Sequence, residues 1–271
     1  MRLQNKWIVI TGGSSGIGAA IAELAGARGN RVTLVADHAE QLEGTTARLV
    51  AAGIAADAIR CDIGRASDVD ALAAQLLASG SAPDVLINNA GFGTYTTFEA
   101  AGLEEIERLF DVNLRGHVRL TKLLCAAMVV RRSGAICFMA SIAGRIPITP
   151  NAAYCSAKHG MLGLAEALRI ELRRFGIEVT AVCPGRVDTK FFDHDTFRTR
   201  TTGPENKTAM PAARAAGATL EAIATNRRIT YVPRALGFGT WLFAALPVLL
   251  RPVFDRLMKA RMERLYADAR R

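Results

Sequence analysis

In the run Asn151-Ala-Ala-Tyr-Cys-Ser-Ala-Lys158, a phenol and an ammonium stand four residues apart, at Tyr154 and Lys158. A helix puts such positions on one face, and a cation close to a phenol stabilises the phenolate. The pair can therefore give or take a proton near neutral pH, although an isolated tyrosine ionises at about pH 10. No other tyrosine has this partner, since Tyr95, Tyr231 and Tyr266 are followed four residues on by Glu99, Ala235 and Arg270. An incidental surface pair would have the same spacing. The upstream sequence has to decide between the two.

A scaffold that could hold such a pair is visible in the alternation of short apolar runs with helix-like stretches. The runs are Trp7 to Ile10, Arg31 to Val35, Ala58 to Cys61, Asp84 to Ile87, Ala135 to Ala140, Ile177 to Val182 and Ile229 to Val232. Helical patterns lie between them near Ile17 to Arg28, Ala39 to Ala52, Ser67 to Ala78, Leu103 to Arg131 and Ala152 to Phe175. Strands that are apolar throughout belong to a sheet covered on both faces. The expected fold is α/β: a doubly wound parallel sheet in three layers, Rossmann-like, with any ligand at the carboxyl ends of the strands. No linker, repeat or low-complexity tract divides the 271 residues, so one domain is expected.

Directly after the first strand comes Thr11-Gly12-Gly13-Ser14-Ser15-Gly16-Ile17-Gly18, opening into a helix. Glycines permit a tight turn and close backbone approach, and free amides at the helix start attract a pyrophosphate. The second strand ends at Asp37, nineteen residues beyond Gly18. A carboxylate there accepts hydrogen bonds from ribose hydroxyls and repels a 2′-phosphate, which favours NAD over NADP without excluding NADP. Ser15 and His38 offer no phosphate clamp. The alternative is that Asp37 caps the helix near Ala39. Asp62, with Ile63, ends the third strand and is placed to meet an adenine amino group; Asn88-Asn89-Ala90-Gly91 ends the fourth with small residues suited to a flat cofactor. Both segments could also be simple turns.

Taken together, these residues resemble a short-chain dehydrogenase/reductase over positions 5 to 190, through the glycine loop, Asp62, Asn88-Asn-Ala-Gly91, Asn113, Ser141, Tyr154-x-x-x-Lys158 and Pro184-Gly185. The resemblance implies a nicotinamide cofactor, a homodimer or homotetramer, and Tyr154 as general acid/base. It implies that Lys158 lowers the tyrosine pKa and bonds the nicotinamide ribose, that Ser141 holds the substrate oxygen, and that Asn113 anchors a water leading from Lys158 to solvent. Pro184, Gly185, Val187 and Thr189 would meet the carboxamide. The implied reaction interconverts a secondary alcohol and a ketone by hydride transfer. A dinucleotide-binding protein without turnover is the alternative from another class.

A net charge of +9 suits an anionic partner or serves solubility, and no motif beyond charge supports nucleic-acid binding. The five cysteines and four histidines lack disulfide-framework or metal-ligand spacing, so no metal is expected. With no apolar segment before the first strand to suggest a cleaved signal, a cytoplasmic location is expected. Residues 190 to 226 should form a substrate lid, in which Phe191, Phe192 and Phe197 could touch an apolar substrate. From 234 to 271 runs a C-terminal extension: sixteen uncharged residues after Arg234, then a segment with seven Lys/Arg against three Asp/Glu. The uncharged stretch is short of the ~20 residues that span a bilayer. It is a subunit interface or substrate entrance, a peripheral membrane contact through 235 to 271, or a core helix.

Overall fold

The computed structural model describes residues 2–78, 80–189, 191 and 209–269, with side chains described as far as Glu263. Its strands are β1 (Trp7–Thr11), β2 (Arg31–Ala36), β3 (Ala56–Arg60), β4 (Val85–Asn88), β5 (Gly134–Met139), β6 (Ile177–Pro184), β7 (Val187–Asp188), β8 (Met210–Pro211) and β9 (Ile229–Val232). Seven of them form a wholly parallel sheet in the order β3-β2-β1-β4-β5-β6-β9, and β7 pairs with β8. The order reverses between β1 and β4, which opens a crevice at the carboxyl ends of the strands.

The helices are α1 (Gly16–Gly26), α2 (Ala39–Ala51), α3 (Ala66–Leu77), α4 (Leu103–Phe110), α5 (Gly116–Arg131), α6 (Ala152–Arg173), α7 (Ala212–Ala224), α8 (Ala235–Ala245) and α9 (Pro247–Ala269). Alternation along each strand feeds two separate cores. Ile8 and Ile10 join Ile21, Leu34, Leu220 and Ile223 on one face, while Val9 joins Val35, Leu72, Leu120, Leu124 and Met161 on the other. This is why β1 is apolar from Trp7 to Ile10.

Three expectations are corrected. The helix expected from Leu103 to Arg131 is interrupted by a π-helical turn, Asp111–Arg115, between α4 and α5. The expected lid of 190 to 226 does not reach its far end: Ala212–Ala224 is α7, whose Ala215, Ala216, Leu220, Ala222 and Ile223 are buried, so it belongs to the core. Residues 190 and 192–208, with Phe192 and Phe197, lie outside the described residues. Finally, the C-terminal extension is no core helix. Only Thr240 of α8 is buried, whereas Phe238, Trp241, Leu246, Val248 and Leu249 are exposed. Among the described residues no single helix is long and apolar enough to cross a membrane; α8 and the following helix reach that composition only together, bent by 114°.

Candidate active site

A cleft of about 990 Å³ opens along the carboxyl ends of the strands and brings together nearly all the residues singled out above. Thr11, Gly12, Ser14, Ser15, Gly16 and Ile17 line it from the first loop, with Asp37, Asp62, Ile63, Asn89, Ala90 and Gly91 from the next strand ends. Ser141, Tyr154, Lys158, Pro184, Gly185, Val187 and Thr189 complete it. Gly18 and Asn113 stand behind its wall.

Backbone geometry explains the first loop. Gly12 and Gly16 have φ of +65° and +55°, where a side chain is strained. A methyl on Gly12 would sit 2.8 Å from the Ala90 Cα. Ser15 is extended and its side chain caps nothing, so α1 begins with its N–H groups open toward the cleft. Such a cradle fits a pyrophosphate. Gly18 serves packing instead of lining, since a methyl there would lie 2.0 Å from the Gly12 carbonyl oxygen. Asn89 was expected beside the cofactor, but its Nδ2 is spent on the Thr11 and Gly12 carbonyls at 2.9 and 3.2 Å. Thr11 Oγ1 in turn accepts from the backbone N–H groups of Asn89 and Ala90. These bonds staple the glycine loop to the turn after β4.

The catalytic candidates come from three elements. Ser141 follows β5 in extended backbone, buried, and its Oγ accepts from Ala143 N–H at 3.1 Å. Tyr154 and Lys158 share one face of α6, with Lys158 Nζ 5.6 Å from the phenol ring centroid. The ammonium is 3% exposed and donates to the Met139 carbonyl at 3.0 Å. Phe191 meets Tyr154 edge-on with centroids 5.6 Å apart. Asn113 sits in the π-helical turn, where its Nδ2 donates to the carbonyls of Phe92 at 2.9 Å and Leu109 at 3.1 Å. Its Oδ1 is buried and has no partner among the described residues. A methyl on Gly91 would stand 2.5 Å from that oxygen and 3.6 Å from Lys158 Nζ, so the two atoms share one small space.

A family model described as short chain dehydrogenase matches residues 6–198. The chain is a short-chain dehydrogenase/reductase. Among its relatives is a putative ketoacyl reductase of Streptomyces coelicolor, 39% identical over 184 residues that cover 67% of this chain and 70% of the relative. A short-chain dehydrogenase/reductase from Burkholderia phymatum in complex with NAD superposes with a TM-score of 0.82 at 25% identity, covering 92% and 96% of the two chains. A short-chain dehydrogenase from Sphingobium yanoikuyae in complex with NADPH gives 0.77 at 29% identity, over 96% and 95%. Membership makes the protein an NAD(P)-dependent oxidoreductase acting between CH–OH and C=O.

In this short-chain dehydrogenase/reductase the electrostatics depart from expectation at two places. Burial pushes the Tyr154 phenol above its ordinary range, and its hydrogen bond with Ser141 pulls the other way. Lys158 was expected to lower the pKa of that phenol; the net shift is upward with burial as its largest cause, and the lysine itself is pushed down to about 8 by its own desolvation. Asp62 is also more committed than an adenine contact requires. Its carboxylate takes Arg108 at 2.8 Å, Arg65 at 3.4 Å and the Gly64 N–H at 2.9 Å. Asp37, by contrast, stands half-exposed at the end of β2, one residue before the N-cap position of α2, which His38 occupies without a side-chain capping bond, so Asp37 is not the cap.

Sequence reasoning passed over several residues. Arg108 carries no motif and is recruited through space. His117 was given no chemistry, and it lies fully buried between Asn88 Oδ1 at 3.2 Å and the Ala90 carbonyl at 2.8 Å. Burial, and then the charge of Lys158, drive it down to about 3, so it supports the turn as a neutral ring. Arg261 of α9 reaches the cleft from the C-terminal extension, and nothing in its local sequence announces this.

Proposed function

We propose that the protein interconverts a secondary alcohol and a ketone with Tyr154 as the general acid/base, preferring NAD(H) to NADP(H). The observation that carries this reading is the convergence of Ser141, Tyr154, Lys158 and Asn113 on one end of the cleft whose other end is the glycine cradle. When bound, the nicotinamide supplies or accepts the hydride. The chain's own residues manage the oxygen and its proton. Ser141 Oγ and the Tyr154 hydroxyl would hold the substrate oxygen, where negative charge grows during reduction. Tyr154 then donates its proton to that oxygen, or as phenolate removes it from the alcohol. The Lys158 ammonium stabilises the phenolate, and the unpartnered Asn113 Oδ1 beside it can hold a water that returns the proton to solvent.

Asp37 supports the cofactor preference, because its half-exposed carboxylate at the end of β2 would repel a 2′-phosphate. Asn89 and Gly18 shape the cradle, while Val187 and Thr189 border the nicotinamide end. The enzyme works in the cytoplasm as a homodimer or homotetramer: α5 and α6 expose Val118, Val130 and Ile170, which a second copy would cover. The α8–α9 elbow rests on an anionic membrane surface, its stacked Phe238 and Trp241 exposed on α8, and Arg251, Arg256 and Lys259 following along α9. Mixing the purified protein with NADH and a panel of ketones, and with NAD⁺ and the matching alcohols, tests the reaction by nicotinamide absorbance. Silence in both directions across the panel would overturn it.

A further inference from the structure

The substrate end of the cleft contains a cation that the reaction does not use. Helix α9 lies over this end with one stripe inward: Phe254, Met258 and Arg261, at spacings of four and three residues. Phe254 meets Phe243 of α8 with ring centroids 5.1 Å apart, and Met258 Sδ accepts from Thr149 Oγ1 at 3.7 Å. One turn later Arg261 lines the cleft, its guanidinium 5.9 Å from the ring centroid of buried Tyr95. Val253 and Leu257 on the opposite face are exposed. The helix is therefore anchored so as to deliver Arg261 to the mouth of the cleft.

No carboxylate neutralises that charge among the described residues. The nearest acid on the helix, Glu263, is paired with Lys259. The two acids that line the cleft, Asp37 and Asp62, stand at the ends of β2 and β3, and Asp62 is already held by Arg108 and Arg65. A cation over an aromatic ring is held by only about 0.5–1 kcal/mol at a partly exposed site, so the guanidinium can turn to a better partner at little cost. Its planar fork suits a carboxylate or a phosphate. The lining around Tyr154 at this end is largely apolar or aromatic, with Tyr95, Ile148 and Phe191, and has Thr94 and Asn151 as its uncharged polar members.

We propose that Arg261 is the anion-recognising residue of the substrate end, and that the substrate is a ketone or alcohol carrying a carboxylate or phosphate beyond an apolar segment. This rests on the reading of the cleft as the alcohol/ketone site, and it adds the chemical class of what enters. Arg261 is a specificity residue supplied by the extension that follows the part of the chain matched by the family model. An anionic amphiphile is also what an apolar elbow flanked by Lys and Arg would encounter.

Calorimetric titration of the full chain, saturated with NADH and at fixed ionic strength, with decanoate, decyl phosphate and decanol tests this without any turnover. At least one of the two anions should bind about tenfold more tightly than decanol, the factor that one charge-assisted contact gives. Which anion leads tells a carboxylate from a phosphate headgroup. Arg261→Gln should bring the ratio close to one, and Arg261→Lys should restore part of it. Decanol binding as tightly as both anions to the unaltered protein overturns the proposal, as does an anion preference that survives in Arg261→Gln. The unaltered protein and Arg261→Lys keep the test decisive even where Arg261→Gln fails to fold. Failure of the oxidoreductase reading looks different: no ketone is turned over, yet the binding ratio stands.

Discussion

Lys158 and Trp241 mark opposite extremes of one chain. The lysine is 3% exposed, bonded to the Met139 carbonyl, stacked near Tyr154 and enclosed on the side of Gly91. The tryptophan is 61% exposed and has Phe238 as its ring neighbour. In the first region each residue is fixed by several others, so its identity follows from internal geometry. In the second, large apolar side chains face outward, as on surfaces that meet other molecules. A single chain thus carries a closely packed cleft and an open apolar surface.

The contrast can be broken first at Tyr154. Tyr154→Phe should lower kcat by about 10³-fold or more, within the range that one positioned proton donor supplies, while the dissociation constant for NADH changes little. Steady-state rates with fluorescence titration of the cofactor check this; a variant with full activity would remove Tyr154 from the reaction. Next in size is the cofactor preference. Asp37→Ser should shift the kcat/KM ratio of NADH to NADPH by about tenfold toward NADPH, since a repelling carboxylate is gone. An unaltered protein that already prefers NADPH would contradict the role given to Asp37.

A smaller effect follows from Lys158, whose folded-state pKa is depressed to about 8 from an ordinary 10.5. Between these values the unfolded chain holds the proton that the folded chain has released, so stability from this group is gained as pH rises and is lost as pH falls through about 8. Denaturant unfolding should therefore show the unaltered protein gaining on Lys158→Met between pH 8 and 10.5. A constant difference across that window would refute the desolvated lysine. The mildest change is expected at the elbow. Phe238→Glu with Trp241→Glu should reduce sedimentation with phosphatidylglycerol vesicles several-fold and leave turnover of a small soluble ketone intact. Equal sedimentation of both proteins would leave the elbow to a partner subunit.

Much of the first region is legible in the sequence because its chemistry is local. Gly12 to Gly18, Asp37 at a strand end and the Tyr154/Lys158 spacing each state their geometry within a few residues. Where contacts join distant segments, legibility failed. Asn89 lines the cleft as its position suggests, but nothing local announces that its amide bonds the Thr11 and Gly12 carbonyls from another strand. Asp62 gave no hint of Arg108, which lies beyond two further elements. The lid expectation overran because the alanine-rich face of α7, with Leu220 and Ile223, packs onto α1, a contact invisible to composition. The apolar run after Arg234 could be read as core, interface or membrane, and only its outward orientation in the fold removed the first.

The turn at Asp111–Arg115 has a consequence for what changes this enzyme could tolerate. A π-helical turn accommodates one residue more than the regular winding on either side. Removing one residue there would restore the regular winding locally and leave the helices on either side close to their present phase. Leu120, Leu124 and Met128, now fully buried, would keep facing the sheet, and Gly116 its close seat against the Ile63 carbonyl. The segment therefore acts as a phase adjuster between two helices. A single-codon deletion would fall on Asn113 and the position of its unpartnered Oδ1, and spare the core.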